Sequence, residues 1–202
     1  MSGRPLAWAA VLLAIAVAGC GAQSPSVTYY SLALPVVQAV PTEVGAALAD
    51  KTIGIGPISM PDVVNRPQLP RPEAGGMQLE EFHRWGGDLD REMGRALVLQ
   101  LSRRLASEQV VEFPWSVPFT PDYQVAIDVL QFSVDRQGLA TLNARWGILK
   151  AGDQQPRIRA SLLTRPVGDP SPGGRAAALR ETVADLGEEI ASELLRLAKG
   201  GS

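Results

Sequence analysis

The sequence predicts one α+β domain, a single-domain sandwich in which two main helices pack on a mixed, largely antiparallel sheet. Two long segments with apolar residues three or four positions apart predict the helices, and six shorter segments rich in β-formers predict the strands. Strands and helices do not alternate strictly along the chain, so a doubly wound parallel sheet is not expected. The 202 residues, 46% hydrophobic and 20% charged, have the size and composition of one globular domain.

The first nineteen residues have the pattern of an export signal. Arg4 supplies a positive start, and residues 6–18 form an uncharged apolar run, shorter than the roughly twenty residues that span a membrane. Val17-Ala18-Gly19-Cys20 resembles the lipobox of bacterial prolipoproteins, and Cys20 is the only cysteine. We expect residues 1–19 to be removed and Cys20 to carry a diacylglycerol and an N-acyl chain such as palmitate. The alternative is an ordinary secretory signal in which Cys20 is simply a small residue.

The residues after Cys20 predict a short tether and a domain that begins close to the membrane. The lipidated cysteine and tether are predicted at residues 20–27, of which residues 21–27 are small and polar and reach at most about 25 Å when extended. Residue 21 is glycine rather than the aspartate that resembles an inner-membrane retention signal, which favours the outer membrane. The folded domain is predicted to occupy residues 28–199.

Hydrophobic periodicity predicts the elements of that domain. Strands are expected at residues 28–34 and 51–58, and the Pro-rich residues 59–78 are expected to lack regular structure. A first amphipathic helix is predicted at residues 88–105, with Asp88 as its N-cap. A brief strand is predicted at residues 110–113. Strands at residues 123–134 and 139–149 are expected to form a hairpin with its turn at residues 137–138, with residues 157–164 as a third strand of that meander, and a final helix is predicted at residues 175–199.

Composition excludes several classes of function. With 19 basic and 21 acidic residues the net charge is −2 and no basic run occurs, so nucleic-acid binding is not expected. One cysteine and one histidine, His83, exclude an internal disulfide, a Cys/His zinc cluster and, unless Cys20 itself serves, a Cys–His dyad. Gly54-Ile55-Gly56, within the predicted strand at residues 51–58, has the first two glycines of a dinucleotide fingerprint, but Ser59 stands where the third glycine is needed. We therefore predict no catalytic residues, no metal and no cofactor beyond the lipid.

Two short segments have the composition of a protein contact surface. Residues 82–85 combine aromatic and basic side chains, and tryptophan and arginine are favoured at the centres of interfaces. Residues 66–68 place a rigid proline beside an arginine. The alternative is that Trp85 packs in the core, that Arg84 pairs with a glutamate, and that residues 66–68 form a tight turn. The predicted partner-binding residues are Arg66, Pro67, Gln68, His83, Arg84 and Trp85.

Several separated segments match the pattern of one known family. These segments are Tyr30-Ser31-Leu32-Ala33-Leu34-Pro35, Ile53-Gly54-Ile55-Gly56-Pro57-Ile58 with Pro61, Asn65-Arg66-Pro67-Gln68, Glu81-Phe82-His83-Arg84-Trp85, Phe113-Pro114-Trp115 and Ala144-Arg145-Trp146. Together with the Ala/Leu-rich final helix, and in this order behind a lipobox, they resemble the ABC-type transport auxiliary lipoproteins that work with MCE (mammalian cell entry) proteins. The paraquat-inducible protein C lipoproteins typify that family.

The resemblance implies an accessory role without catalysis. It implies a periplasmic domain anchored in the outer membrane that docks on an MCE-protein assembly and helps lipids or other hydrophobic molecules cross between the membranes. A separate ATPase would supply the energy, and several copies could assemble into a ring. Two alternatives come from other classes: an envelope- or cell-wall-binding lipoprotein unrelated to transport, and a periplasmic hydrolase that would have to use His83.

Overall fold

The computed structural model describes residues 25–33, 48–115 and 120–200. The predictions for the signal segment, for Cys20 and for residues 20–24 of the tether lie outside the described residues. Within these ranges the strands are β1 (Thr28–Tyr30), β2 (Ile53–Ser59), β3 (Gln68–Glu73), β4 (Gly76–Trp85), β5 (Val110–Glu112), β6 (Tyr123–Val134), β7 (Leu139–Lys150) and β8 (Arg157–Pro166), and the helices are α1 (Leu89–Arg104) and α2 (Pro172–Lys199).

The larger sheet has five strands in the order β5-β2-β6-β7-β8. Strand β2 is parallel to β5 and to β6, whereas β6, β7 and β8 form an antiparallel meander. Along β6, Val125 and Ile127 are buried while Ala126 and Asp128 are exposed. This period of two separates a core face, which α2 covers, from an open face.

A smaller sheet has three strands in the order β1-β4-β3. Strands β3 and β4 form a hairpin, and β3 and the start of β4 lie within residues 59–78, so the prediction that this segment lacks regular structure is wrong. Pro70 and Pro72 lie in β3, which is an edge strand; an edge tolerates proline because the missing N–H would face solvent. Gly75 closes the hairpin with a φ of 86°. Strand β1 ends at Tyr30, four residues before the predicted end.

Both helices are present close to their predicted bounds. Helix α1 begins after Asp88, whose backbone carbonyl accepts a hydrogen bond from Glu92 N at 3.0 Å while its side chain makes no capping bond. Helix α2 begins at Pro172, three residues earlier than predicted. Ser171 is its N-cap and accepts a hydrogen bond from Gly174 N at 3.2 Å. Proline is well tolerated in a first helical turn, where its missing N–H has no helical partner.

The core lies between the helices and the five-stranded sheet, and it continues under the three-stranded sheet. Leu97 of α1, Leu142 of β7 and Leu186 of α2 are completely buried. Trp85 of β4 joins the two sheets, because its ring lies 6.3 Å from that of Phe132 on β6. One continuous apolar cluster therefore includes residues from both sheets.

The predicted α+β class with two main helices is confirmed. The strands, however, form two sheets rather than one, and three of the six strand pairs in the described ranges are parallel. The β2–β5 pair is parallel because α1 lies in the connection between these strands, and a crossover of that length returns the chain in the same direction.

Candidate functional site

The end of β4 carries the predicted aromatic and basic segment. It pairs in parallel with β1, so that Thr28 lies beside His83, Tyr29 beside Arg84 and Tyr30 beside Trp85. Trp85 is only 1% exposed. Its side chain therefore belongs to the core and does not form part of a contact surface, which corrects its assignment as a partner-binding residue.

Arg84 is half-buried and pairs with a neighbouring glutamate. Its Nε donates to Glu81 O at 2.8 Å, and its Nη2 lies 2.8 Å from Glu81 Oε2. The structure therefore agrees with the alternative interpretation of both residues: Trp85 packs in the core and Arg84 pairs with a glutamate. Arg84 still lies on the solvent side of the sheet, because Tyr29 beside it is 65% exposed.

The two predicted contact segments lie side by side. Trp85 N donates to Pro67 O at 2.6 Å, and Gln68 pairs with Arg84 where β3 begins. Arg66 is exposed two residues before this strand begins. The β3–β4 pairing thus places residues 66–68 beside residues 83–85, a proximity that neither segment indicated separately.

A polar cluster adjoins these two segments and connects the three-stranded sheet to α2. Tyr30 Oη lies 3.0 Å from His83 Nδ1. Arg175, in the first turn of α2, donates from Nη2 to Glu80 Oε2 at 2.6 Å and from Nη1 to Pro170 O at 2.7 Å. Burial, together with the negative charge of Glu80, raises the pKa of the Tyr30 hydroxyl, and the Arg175 charge opposes that rise.

This cluster escaped sequence reasoning because its members come from three separate elements. Glu80 and Arg175 are 95 residues apart in the chain, and each is common on ordinary exposed surfaces. Yet the pair is largely buried, with side chains 17% and 8% exposed. The chain offers no local spacing from which this contact could be predicted.

The outer surface of the three-stranded sheet exposes several large side chains. Val27 and Phe82 immediately precede the paired residues Thr28 and His83, and both are partly exposed. With Tyr29 and Arg84 they form an outer patch, defined by Val27, Tyr29, Phe82 and Arg84. The patch includes Val27, the last residue of the predicted tether.

The open face of the five-stranded sheet contains a groove of about 410 Å³. Ala126 of β6 and Gly147 of β7 are paired and form its floor, and Pro57, Pro156 and Ile158 line its sides. Sequence reasoning missed this groove. One sequence feature could have indicated it: β6, β7 and β8 carry small and apolar residues at positions that face outward. An open sheet face usually carries polar residues at such positions.

The glycines of β2 have a packing role. A side chain at Gly54 would overlap the Trp115 ring, and Gly56 has a φ of 119° and lies against Phe113. Phe113 and Trp115 pack edge to face with ring centroids 5.3 Å apart. Close approach of these aromatic rings to the strand accounts for both glycines without a dinucleotide.

The described residues contain no side-chain cluster typical of a metal centre. No group of three or more His, Cys, Asp or Glu side chains in the described ranges is positioned to hold a metal ion. Where carboxyl pKa values shift, fold-stabilising contacts cause the shift: a bond from Thr52 N lowers the pKa of Asp122, and a bond from Arg196 lowers that of Glu193. Neither helix of the described chain has the length and hydrophobicity needed to span a membrane.

Comparison with known proteins identifies related sequences and folds. A family model described as ABC-type transport auxiliary lipoprotein component matches residues 30–191. A crystal structure of an uncharacterised protein superimposes with a TM-score of 0.65 at 18% identity, covering 84% of this chain and 99% of that chain. Protein XCC0632 from Xanthomonas campestris, of family DUF330, has a TM-score of 0.67 at 20% identity, covering 86% and 98%. No curated protein sequence matches the chain.

Proposed function

This chain belongs to the family of ABC-type transport auxiliary lipoprotein components, and from this premise we propose that it is an accessory lipoprotein of an MCE-containing intermembrane transport system. It is anchored in the outer membrane, faces the periplasm and helps lipids or other hydrophobic molecules move between the two membranes. It performs no catalysis. The observation that carries the proposal is the family match over residues 30–191, which begins ten residues after a lipobox cysteine.

The proposed mature protein begins at Cys20, whose thiol carries diacylglycerol and whose amino group is acylated. Three chains would bury many more methylenes than one myristoyl group, at about 0.8 kcal/mol for each buried CH₂, so the anchor is stable. Residues 20–27 are the tether and residues 28–199 the functional domain. Because β1 begins at Thr28, the three-stranded sheet lies within about 25 Å of the lipid anchor.

The proposed docking surface for the MCE protein consists of the outer patch and the adjoining residues of the two contact segments. Exposed aromatic and arginine side chains on one surface are typical of the centres of protein interfaces. Tyr29 and Phe82 supply the exposed aromatic rings. Trp85 supports this surface from the core. The proposed contact residues outside the outer patch are Arg66, Pro67, Gln68 and His83.

Membrane fractionation tests the anchor. Wild type and Cys20→Ala are expressed with a C-terminal tag in the native host, and the inner and outer membranes and the periplasm are separated. We expect wild type in the outer membrane and Cys20→Ala either retained with an uncleaved signal or free of the outer membrane. Equal amounts of both proteins in the outer membrane would contradict lipid anchoring at Cys20.

Crosslinking tests the partner and its docking surface. Full-length wild type is crosslinked in cells and the captured proteins are identified by mass spectrometry; we expect an MCE-domain protein. The double variant Tyr29→Ser/Phe82→Ser should lose this partner, while Leu139→Ser, an exposed leucine at the start of β7, should retain it.

The same experiment addresses the alternatives and the number of copies. Capture of a cell-wall or other envelope component, without any MCE or ABC subunit, would favour a general envelope-binding lipoprotein. A captured complex whose mass contains several copies of this chain would support a ring. Loss of the MCE partner in Leu139→Ser but not in the double variant would move the docking surface to the other sheet.

A further inference from the structure

We propose that the groove on the five-stranded sheet binds one acyl chain of a phospholipid whose headgroup is zwitterionic. The groove lies on the sheet face opposite α2. On β8, Arg159, Ser161 and Arg165 contact Glu193, Glu189 and Asp185 of α2, respectively. Because side chains alternate along a strand, the intervening residues Ile158 and Leu162 face away from the helix.

The shape of the groove depends on two small residues at its floor. Ala126 and Gly147 are cross-strand partners, and Ile158 pairs with Gly147 on the other side. A Cβ atom at Gly147 would lie 3.4 Å from Pro156 Cβ and 3.7 Å from Ile158 Cγ1. That methyl group would just fit, so any larger side chain would extend into the groove and reduce its volume.

The size and chemistry of the groove suit a single hydrocarbon chain. Its volume of about 410 Å³ is near the lower end of the range for small-molecule sites, about 300–1,000 Å³. This volume accommodates one chain of a lipid rather than a whole two-chain molecule. Pro57, Leu149, Pro156 and Ile158 contribute apolar surface to its lining, which matches methylene groups.

One row of the lining is charged. Asp128 and Arg145 are cross-strand partners, one row along from the apolar pair Ala126 and Gly147. Asp128 Oδ1 accepts a hydrogen bond from Ser59 Oγ at 2.9 Å. No hydrogen bond or ion pair joins the Arg145 side chain to another residue in the described part of the chain. A guanidinium and a carboxylate at the end of an apolar groove match a phosphate and an ammonium carried by the same headgroup.

This inference rests on the proposed function and deepens it, because it names the lipid class and the site that holds it. The phosphate would contact Arg145, the ammonium would lie near Asp128, and the chain would run over Ala126 and Gly147. The site lies on the five-stranded sheet, apart from the docking surface proposed on the three-stranded sheet. The two proposals can therefore fail independently.

Photo-crosslinking in cells tests the site in the full chain. A benzophenone-bearing amino acid replaces Ile158, which lines the groove, or Leu162, which does not; the two residues are 65% and 67% exposed and share a strand and a face. Cells are grown with radioactive phosphate, irradiated, and the purified chain is assayed for covalently bound phospholipid, with its headgroup identified by mass spectrometry. We expect labelling at Ile158 and background labelling at Leu162.

Two further variants, each carrying the crosslinker at Ile158, separate the apolar from the charged part of the site. Ala126→Phe fills the floor and should abolish labelling. Arg145→Gln should lower labelling about tenfold, the change expected when one charge-assisted hydrogen bond is lost. Arg157→Gln removes a neighbouring exposed arginine outside the groove and should leave labelling unchanged.

Each outcome decides the inference. Equal labelling at Ile158 and Leu162, no lipid at either, or a protein crosslinked at Ile158 would overturn it. Labelling that survives Ala126→Phe would also overturn it, and a purely anionic headgroup on the captured lipid would exclude the role of Asp128. Lipid labelling without any MCE partner would support lipid binding in the groove and contradict the transport role. Capture of an MCE partner without lipid labelling would support the transport role and contradict lipid binding in the groove.

Discussion

The two sheets of this protein are held to the rest of the domain by different kinds of contact. The five-stranded sheet presents a continuous apolar face to α2, with Val125 and Leu142 completely buried. The three-stranded sheet has fewer buried apolar side chains, chiefly Leu69 and Trp85. It is joined to α2 by the Glu80–Arg175 ion pair, whose charges are largely shielded from solvent.

Because of this difference, one sheet provides most of the folding stability and the other depends on a contact of defined geometry. Apolar burial is non-directional and supplies most of the folding free energy, so the five-stranded sheet and its helices form the stable part. A buried ion pair contributes little net stability but requires one geometry. The three-stranded sheet, which carries the proposed docking surface, is therefore oriented by specific polar contacts, and we expect it to open first.

The largest effect is expected from a cavity in the apolar layer. Leu142→Ala should lower the free energy of unfolding by about 2–5 kcal/mol, because it removes a fully buried side chain from between sheet and helix. Urea denaturation of the full chain measures this change. Leu162→Ala, on the open face of the adjacent strand, is the control and should change stability by no more than about 0.5 kcal/mol. Equal effects would contradict the assignment of the two faces.

A smaller effect is expected from breaking the ion pair of the three-stranded sheet. Arg175→Met keeps the length of the side chain but leaves Glu80 without its guanidinium partner. Because Glu80 retains some exposure, we expect a loss of about 1–3 kcal/mol, less than for a fully enclosed charge. Hydrogen exchange should increase in β1, β3 and β4 before it does in β6 and β7.

The control for this prediction is Arg165→Met, which breaks the exposed pair of Arg165 with Asp185 on the five-stranded sheet. Solvent screens that pair, so the exchange rates should stay close to those of wild type. Uniform acceleration of exchange in both sheets of Arg175→Met would show that the ion pair stabilises the whole domain rather than one sheet.

A pH-dependent effect is expected where the interior strands β2 and β6 of the five-stranded sheet begin. Hydrogen bonds from the backbone and side chain of Thr52 hold the pKa of Asp122 below its ordinary value of 3.8. The stabilisation is complete above that ordinary value and is lost as the pH falls through the lowered pKa of the folded state. Asp122→Asn should flatten the acid limb of a stability–pH curve measured by thermal unfolding. An unchanged acid limb would contradict this role.

The smallest effect is expected at high pH in the three-stranded sheet. Burial holds the pKa of Tyr30 above its ordinary value of 10.0, so the contribution of its neutral hydroxyl is present below pH 10 and is lost as the pH rises through the folded pKa. In an ultraviolet titration, Tyr30→Phe should remove a late-ionising phase that Tyr29→Phe retains. A late phase that persists in Tyr30→Phe would belong to another tyrosine.

Elements with a local signal were predictable from the sequence. Helix α1 and the β6–β7 hairpin were predicted within two residues, because apolar periods of three to four and of two are visible in neighbouring residues. The β3–β4 hairpin was missed because Pro70 and Pro72 are acceptable in a strand only when that strand lies at a sheet edge. Edge position depends on neighbouring strands, which the local sequence does not reveal.

The candidate site was predictable only in part for a similar reason. The composition of residues 82–85 indicated either a contact surface or a core position, and both occur: Trp85 is buried while Phe82 is exposed. Adjacent residues of a strand point to opposite faces, so the division between them follows from which face the rest of the protein covers. Composition alone does not carry that information.

By itself, the sequence determined the α+β class, the two helices and the β6–β8 meander, since these depend on periodicities within single segments. The tertiary structure alone decided the division into two sheets, the Glu80–Arg175 contact and the groove over Ala126 and Gly147. These features bring together residues from separate segments, up to 95 positions apart in the case of the ion pair. Such contacts arise only when whole elements pack against one another, because the free energy of packing depends on the surfaces of both partners.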